Sequence, residues 1–369
     1  MRRFFAITEP EGTAEEGRRK VPVRRGWIKR HWVVTSAVVA TVLALAAAGG
    51  WLYYVDSSFE PATVPLTVPE EDRPPKNTGE DLNILLAGAD NGQGKSIAEE
   101  IAAGTWTPGE HRSDTIMVLH VPAHRQKTFL ISIPRDSYVQ IYDESGSPTG
   151  RAKINSAFAD FGPSGYVATV EQLTGLRMDH LAMLDWDGFK DIVDAVSGVE
   201  VCIPETFTDE SQGIVWEKGC QKLDGQEALA YVRTRYGLEN GDFDRIRRQQ
   251  NLMRSLMTKV LDNESRSGVS GITDALRAVT KNLTVDEDWD TDEIRKLALS
   301  MRGLDTGDVT FLTAPLERYD TTADGQSIVI LDKAQSRVLW RTVENDEVAR
   351  YLRRYAAESG LLGDPSTVG

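Results

Sequence analysis

Cysteine is nearly absent: the 369 residues contain two, Cys202 and Cys220, with no histidine near either. A cysteine-based zinc site is therefore excluded, because four-coordinate zinc needs partners that this pair lacks. Positive charge is also in deficit, with 42 Lys and Arg against 56 Asp and Glu for a net of −14. A molecule of that sign is a poor wrapper of polyanions, so nucleic acid is not an expected partner and any anion binding must be local. Long apolar runs are missing apart from one, which rules out a multi-span membrane protein. No internal repeat is apparent. What is present is ordinary globular composition, 40% apolar and 27% charged, in a length that suits one large domain or two smaller ones.

The single apolar run divides the chain. Residues 1–31 hold nine basic and four acidic groups, which leaves −19 for the rest. Residues 32–55 carry no formal charge, open on Trp32 and close on Trp51, Tyr53 and Tyr54. That length spans a ~30 Å hydrocarbon core as a helix, with the aromatics where an interfacial belt sits. The expectation is one N-terminal transmembrane helix, a cytoplasmic basic segment before it and an extracytoplasmic bulk after it. The competing reading is a cleaved signal peptide, because residues 44–50 are mostly small and Arg24-Arg25 resembles a twin-arginine signal. Either reading places the bulk in an oxidising compartment. There Cys202 and Cys220 are expected to close a 19-residue loop worth ~3 kcal/mol, with two unrelated thiols as the alternative.

Residues 56–79, rich in Pro, Thr and acidic groups, read as an extended spacer. Beyond it, 82–88, 115–121 and 128–133 are short apolar runs bounded by Gly, Pro or Asp, the pattern of buried strands. Helical patterns at 153–161, 166–173, 188–196, 226–231, 242–260 and 292–300 interleave with further strands at 180–186, 199–203, 309–312 and 328–331. This order predicts an α/β fold: a single α/β/α layered domain over 80–344 with a mixed central sheet. Residues 345–369 are expected to form a charged helix and a frayed tail.

Four clusters carry possible chemistry. Asp90 ends one strand run and Asp114 precedes the next, and two carboxylates at neighbouring strand ends suit a hard divalent cation. Aspartate is also a common turn residue, so the spacing alone is weak. Arg135, in Pro134-Arg135-Asp136, is thrown to the rim where open α/β sheets place ligands, unless it is only a surface ion pair. Lys153 and Asn155 stand at an expected helix start, where an anion or a simple cap fits equally well. The fourth cluster is Arg233 and Arg235, which share a face if extended, followed by Arg245 and Gln249 one helical turn apart. Four long donors can meet there, and arginine forks suit pyrophosphate oxygens. The bland alternative is a solvated face neutralised by Glu239, Asp242 and Asp244.

These segments resemble the LytR-CpsA-Psr family of bacterial cell-envelope proteins. The resemblance is carried in order by Asn83-Ile-Leu-Leu-Ala-Gly-Ala-Asp90, Arg112-Ser-Asp114, Ile133-Pro-Arg135-Asp136, Lys153-Ile-Asn155, Gly198-Val-Glu-Val, Leu223 to Arg235, and Gly241-Asp-Phe-Asp-Arg245 through Gln249-Gln250. It implies an enzyme moving an anionic glycopolymer from a polyprenyl (undecaprenyl) pyrophosphate carrier at the membrane onto a peptidoglycan hydroxyl, with a phosphodiester formed. By the same resemblance Asp90 and Asp114 hold Mg²⁺ or Mn²⁺ and one of them orients or deprotonates the hydroxyl. Arg135, Arg233, Arg235 and Arg245 grip the pyrophosphate beside Gln249, Arg135 counting among the catalytic groups. The 23 residues between Asp90 and Asp114 exceed the family's usual dozen, and this insert is a candidate lid. The carrier's prenyl chain needs an apolar groove, for which 166–173 and 252–260 are candidate walls. A pyrophosphatase using water as acceptor, and a non-catalytic wall-polymer binding or regulatory protein, are the alternatives.

Overall fold

The computed structural model describes residues 61–90, 97–234, 242–261, 279–301, 303–355 and 360–364. The expected cytoplasmic segment and transmembrane helix, and Arg235, lie outside the described residues. Among the described residues no helix is long and apolar enough to cross a membrane.

Among the described residues the strands form one seven-stranded sheet and four two-stranded pairs. Those of the central sheet are β1 (Ala62–Val64), β2 (Leu82–Asp90), β3 (Arg112–Val121) and β4 (Thr128–Ser132), followed after a β5 (Tyr138–Tyr142) and β6 (Pro148–Lys153) hairpin by β7 (His180–Asp185). The pair β8 (Val199–Ile203) and β11 (Gly219–Leu223) encloses the small hairpin β9 (Phe207–Asp209) and β10 (Ile214–Trp216). The sheet is completed by β12 (Leu283–Asp286) and β13 (Val309–Thr313), and β14 (Leu316–Thr321) pairs with β15 (Ser327–Leu331). Helices are α1 (Ile97–Ala102), α2 (Asn155–Thr174), α3 (Trp186–Ala195), α4 (Gly225–Arg233), α5 (Asp242–Leu261), α6 (Thr291–Ser300), α7 (Lys333–Glu344) and α8 (Val348–Tyr355).

The sheet order is β1-β12-β7-β2-β3-β4-β13. Pairings of β2 with β7 and β4 with β13 are parallel, whereas β3 runs against both β2 and β4. The expected mixed sheet is therefore present, and it brings the carboxyl ends of β2, β4, β7 and β13 to one rim. Side-chain parity splits the sheet into two faces. Leu85, Ala87 and Ala89 join Ile116, Ile131 and Met183 on one face, beneath α2, α7 and α8. Ile84 and Leu86 point to the other face, with Met117, Ala182 and Leu130 toward α5 and α6.

Several boundaries differ from expectation. The stretch expected as a spacer contributes β1, buries Val64 and Val68, and is tied down by Arg73, which donates to Glu171 Oε1 at 2.7 Å and to the Met178 carbonyl at 2.8 Å. The packed domain thus begins well before residue 80. At the other end Val348 and Tyr351 are 1% exposed, and the Leu362 amide donates to the Phe311 carbonyl, so residues beyond 344 complete the core. The two helical patterns at 153–161 and 166–173 are one helix, α2, kinked where Gly162 (φ 64°) precedes Pro163. Its start is displaced by β6, so Lys153 ends a strand. The expected disulfide is formed: Cys202 and Cys220 face each other in the β8–β11 register.

Candidate functional site

The rim gathers the site. In the β2–β3 ladder Gly88 pairs with Thr115 and Ala89 with Ser113, which leaves Asp114 as the extra residue of a bulge. A bulge re-aims the side chain it frees. Glycine is required at 88, since a Cβ there would lie 2.9 Å from that of Thr115. Asp90 ends β2 opposite Arg112, so the two candidate carboxylate residues occupy neighbouring strand ends. Arg135, in the turn after β4, donates from its Nη1 to Asp114 Oδ1. Its carbonyl accepts the Asn155 amide at 3.2 Å, and Lys153 Nζ lies 3.1 Å from Asp136 Oδ1. Asn155 opens α2 from the neighbouring position, with no side-chain cap at that helix start.

The arginines arrive from the other side of the rim. Arg233 is the last residue of α4 rather than part of an extended segment, and the chain leaves the helix at Thr234. Its guanidinium lies 3.8 Å above the centre of the Trp186 ring, a cation–π contact that fixes it in place. Arg245, 2% exposed, and Gln249 follow on successive turns of α5. Asp114, Arg233, Arg245 and Gln249 all line one cavity of about 410 Å³, which runs inward between the sheet and α5. Its deeper walls are apolar: Leu86, Met117, Ala182 and Val309 from strands, and Leu252, Met253, Leu256 and Met257 from α5. Arg135, Lys153 and Asn155 sit on the shoulder of this mouth, joined to it through Asp114. Of the segment 252–260, Leu252, Met253, Leu256 and Met257 line the cavity, whereas 166–173 packs on the opposite face of the sheet.

The LytR_cpsA_psr family model matches residues 58–345, a span holding every element described so far except the last helix. The chain belongs to that family. It is 34% identical over 281 residues to the cell wall biosynthesis protein LcpA of Corynebacterium glutamicum, an alignment covering 69% of this chain and 54% of that protein. The chain therefore spans about half the length of that curated relative. To the polyisoprenyl-teichoic acid–peptidoglycan teichoic acid transferase TagU of Enterococcus faecalis it is 30% identical over 271 residues, 73% of this chain and 82% of the relative. The crystal structure of B. subtilis TagV shares the fold, with a TM-score of 0.59, 24% identity, and coverage of 74% and 98%.

Within this LytR_cpsA_psr site two residues escaped the sequence reading. Asp185, at the end of β7 beside Ala89, caps α3 by accepting the Gly188 amide at 2.8 Å and lines the cavity mouth. Burial pushes its carboxyl above the ordinary aspartate range. Trp186, expected as the end of a strand, begins α3 and supplies the platform under Arg233. An Asp followed by Trp-Asp-Gly at a strand's end is a capping pattern that could have revealed both.

The disulfide-tied loop forms the wall behind the arginines. Its Phe207 lies 4.1 Å from the buried Arg248 guanidinium, and Trp216 packs edge-on against Tyr231. Asp209 accepts from Ser211 and Gln212, and the Gln212 amide also donates to the Ala230 carbonyl at 3.0 Å. Burial alone would raise the Asp209 carboxyl, but hydrogen bonds from Ser211, Gln212 and Thr234 hold it below its ordinary value. The described part of the long insert, 97–111, docks on α2 through Trp106 against Phe158 and lines none of the cavity.

Among the described residues no group of three or more His, Cys, Asp or Glu is assembled for a metal. Two carboxylate residues at adjacent strand ends still fit a hard ion that keeps water and takes phosphate oxygens as its remaining ligands. The donor chemistry suits Mg²⁺ or Mn²⁺ and not a closed zinc site.

Proposed function

We propose that this protein transfers an anionic glycopolymer from a polyprenyl pyrophosphate carrier to a peptidoglycan hydroxyl, forming a phosphodiester. The observation that carries the reading is the cavity: apolar along its depth, with Asp114, Arg233, Arg245 and Gln249 at its mouth. A prenyl tail and a pyrophosphate require that pairing of a greasy interior with a cationic entrance. The relative named for teichoic acid transfer to peptidoglycan supports the same chemistry.

In the proposed reaction the acceptor hydroxyl oxygen bonds to the phosphorus that bears the glycan. The bond from that phosphorus to the bridging oxygen breaks, and polyprenyl phosphate leaves. Arg233, Arg245 and Arg135 bind the pyrophosphate and offset the charge that grows on the leaving phosphate. Gln249 adds a neutral donor beside them, and Lys153 and Asn155 stand at the shoulder where the glycan exits. Asp114 or Asp90 takes the hydroxyl proton. A Mg²⁺ or Mn²⁺ ion held by Asp90 and Asp114 would supply further neutralisation of the pyrophosphate. Arg235 is assigned to the same grip on the strength of the resemblance. Residues 32–55 anchor the chain in the cell membrane with the domain outside; a mature chain beginning near Gly50 would refute that anchor.

The deciding experiment incubates the full chain in detergent with a polyprenyl pyrophosphate oligosaccharide, peptidoglycan and Mg²⁺, with and without a chelator. Glycan linked to peptidoglycan by phosphodiester, together with free polyprenyl phosphate, is the expected product. Soluble phospho-oligosaccharide alone would make the protein a pyrophosphatase. Binding without turnover that survives loss of both Asp90 and Asp114 would make it an adaptor.

A further inference from the structure

A second groove, of about 460 Å³, lies on the face of the sheet away from the cavity, between β5, the end of α2 and one side of α7. Lys333, Arg337 and Arg341 line it at i, i+4 and i+8 of α7, one above another on a single helix face. Each is exposed, and none has a carboxylate partner among the described residues. Their spacing is about 6 Å per step, from four residues at 1.5 Å rise. Among the described residues Glu344 is the only acid lining the groove, and the nearby Asp332 is occupied in capping α7 through the Ala334 and Gln335 amides.

Beneath the cations stand two buried polar groups without partners. The Ser336 hydroxyl and the Trp340 Nε1 lack hydrogen bonds, in residues 8% and 4% exposed that both line the groove. Buried polar groups in folded proteins are rarely left unsatisfied without a reason. Three unpaired cations in a strongly acidic molecule, above unsatisfied polar atoms, point to an anionic ligand with oxygens to offer.

We propose that this groove binds the charged glycan chain at repeat units remote from the pyrophosphate. The inference rests on the transferase reading and adds a second contact to it. The groove lies at the Thr174 end of α2, whereas Asn155, at the other end, sits by Arg135; the helix between them is up to about 30 Å long. A polymer extending from the mouth can reach it, and a short saccharide cannot. Two-point attachment converts the second contact into an intramolecular one and raises affinity with chain length.

The test begins with binding to the full chain in detergent, without carrier lipid. The probes are an oligomannuronate, a neutral malto-oligosaccharide of equal length, and inorganic polyphosphate. The expected result is saturable binding of the oligomannuronate, weakened at least tenfold in the double variant Arg337→Ala, Arg341→Ala and preserved in Arg233→Ala. The neutral glycan should not bind. Retained affinity in the double variant overturns the site, and equal affinity for polyphosphate overturns its preference for a glycan. In the transfer assay the double variant should match the wild type on a disaccharide donor, yet show at least a fivefold higher KM with unchanged kcat on a long polymer. Equal KM on the long polymer also overturns the proposal. A wild-type chain that transfers neither donor refutes the transferase reading instead, and the binding arm then judges the groove alone.

Discussion

The two faces of one sheet are built from alternate residues of the same strands and come to opposite ends. Leu85, Ala87 and Ala89 enter a face that α2, α7 and α8 close with Phe158, Tyr166 and Trp340. Their neighbours Leu86 and Gly88 face α5 across an open cavity. The closed face is filled with rigid aromatic and branched side chains. The open face is walled by Met253, Met257 and leucines, which leave room and adapt to an occupant. Stability is therefore concentrated on one side of the sheet and the candidate carrier cavity on the other, and substitutions should separate the two.

Phe158→Ala should have the largest effect, because removing a fully buried ring costs about 3–5 kcal/mol. Denaturant unfolding would measure it; a loss below about 1 kcal/mol would mean that the closed face is not the stable one. On the open face, Arg233→Ala should leave unfolding within about 0.5 kcal/mol of wild type while forfeiting charge-assisted contacts of about 1.5–3 kcal/mol. That is a tenfold or greater loss of affinity for a polyprenyl pyrophosphate, read by titration. Arg233→Lys keeps the charge but not the fork or the flat contact with Trp186, and should also lose affinity. If it binds normally, the site is a general positive patch.

Deeper in the cavity, Met257→Trp should displace about two methylene groups of a prenyl tail, at about 0.8 kcal/mol each, for roughly a tenfold loss of affinity. The loss should vanish with a carrier of only two or three isoprene units, while the melting temperature holds or rises. The smallest effect tests the wall behind the arginines. The Asp209 carboxyl is held below its unfolded value of ~3.9, so its stabilisation is full above that value and disappears as pH falls through the folded one. The melting-temperature gap between wild type and Asp209→Asn should be constant above about pH 5 and close below about pH 4. A gap that persists at pH 2 would assign the difference to something other than the carboxylate.

Much of this was legible in the sequence because period-2 burial and strand-end chemistry are local signals. The runs at 82–88, 115–121 and 128–133 became β2, β3 and β4, and the arginines of 233 and 245 reached one cavity. What was missed depended on remote partners. β1 and β12 are three and four residues long and become strands only by pairing with remote partners, β1 with β12 and β12 also with β7. The hairpin β5–β6 carries too many exposed polar residues to announce itself. Arg233 looked extended because the spacing to Arg235 favoured it, yet the Asp224–Glu227 capping box starts a helix that runs through Arg233. Trp186 could not be assigned to Arg233 at all, since they lie 47 positions apart and only the fold brings them together.

The β1–β12 pairing also bears on how the molecule is made. Ala62 is the register partner of Thr284, so the first strand of the domain waits for more than 200 further residues before it has a place in the sheet. Contacts of such long range slow folding and leave edges exposed in the meantime. The waiting strand is unattractive to other chains, because it offers only three residues between Pro61 and Pro65, neither of which can donate to a ladder. A chain that emerges N-terminus first thus carries a poorly adhesive strand at the front, and commits it late.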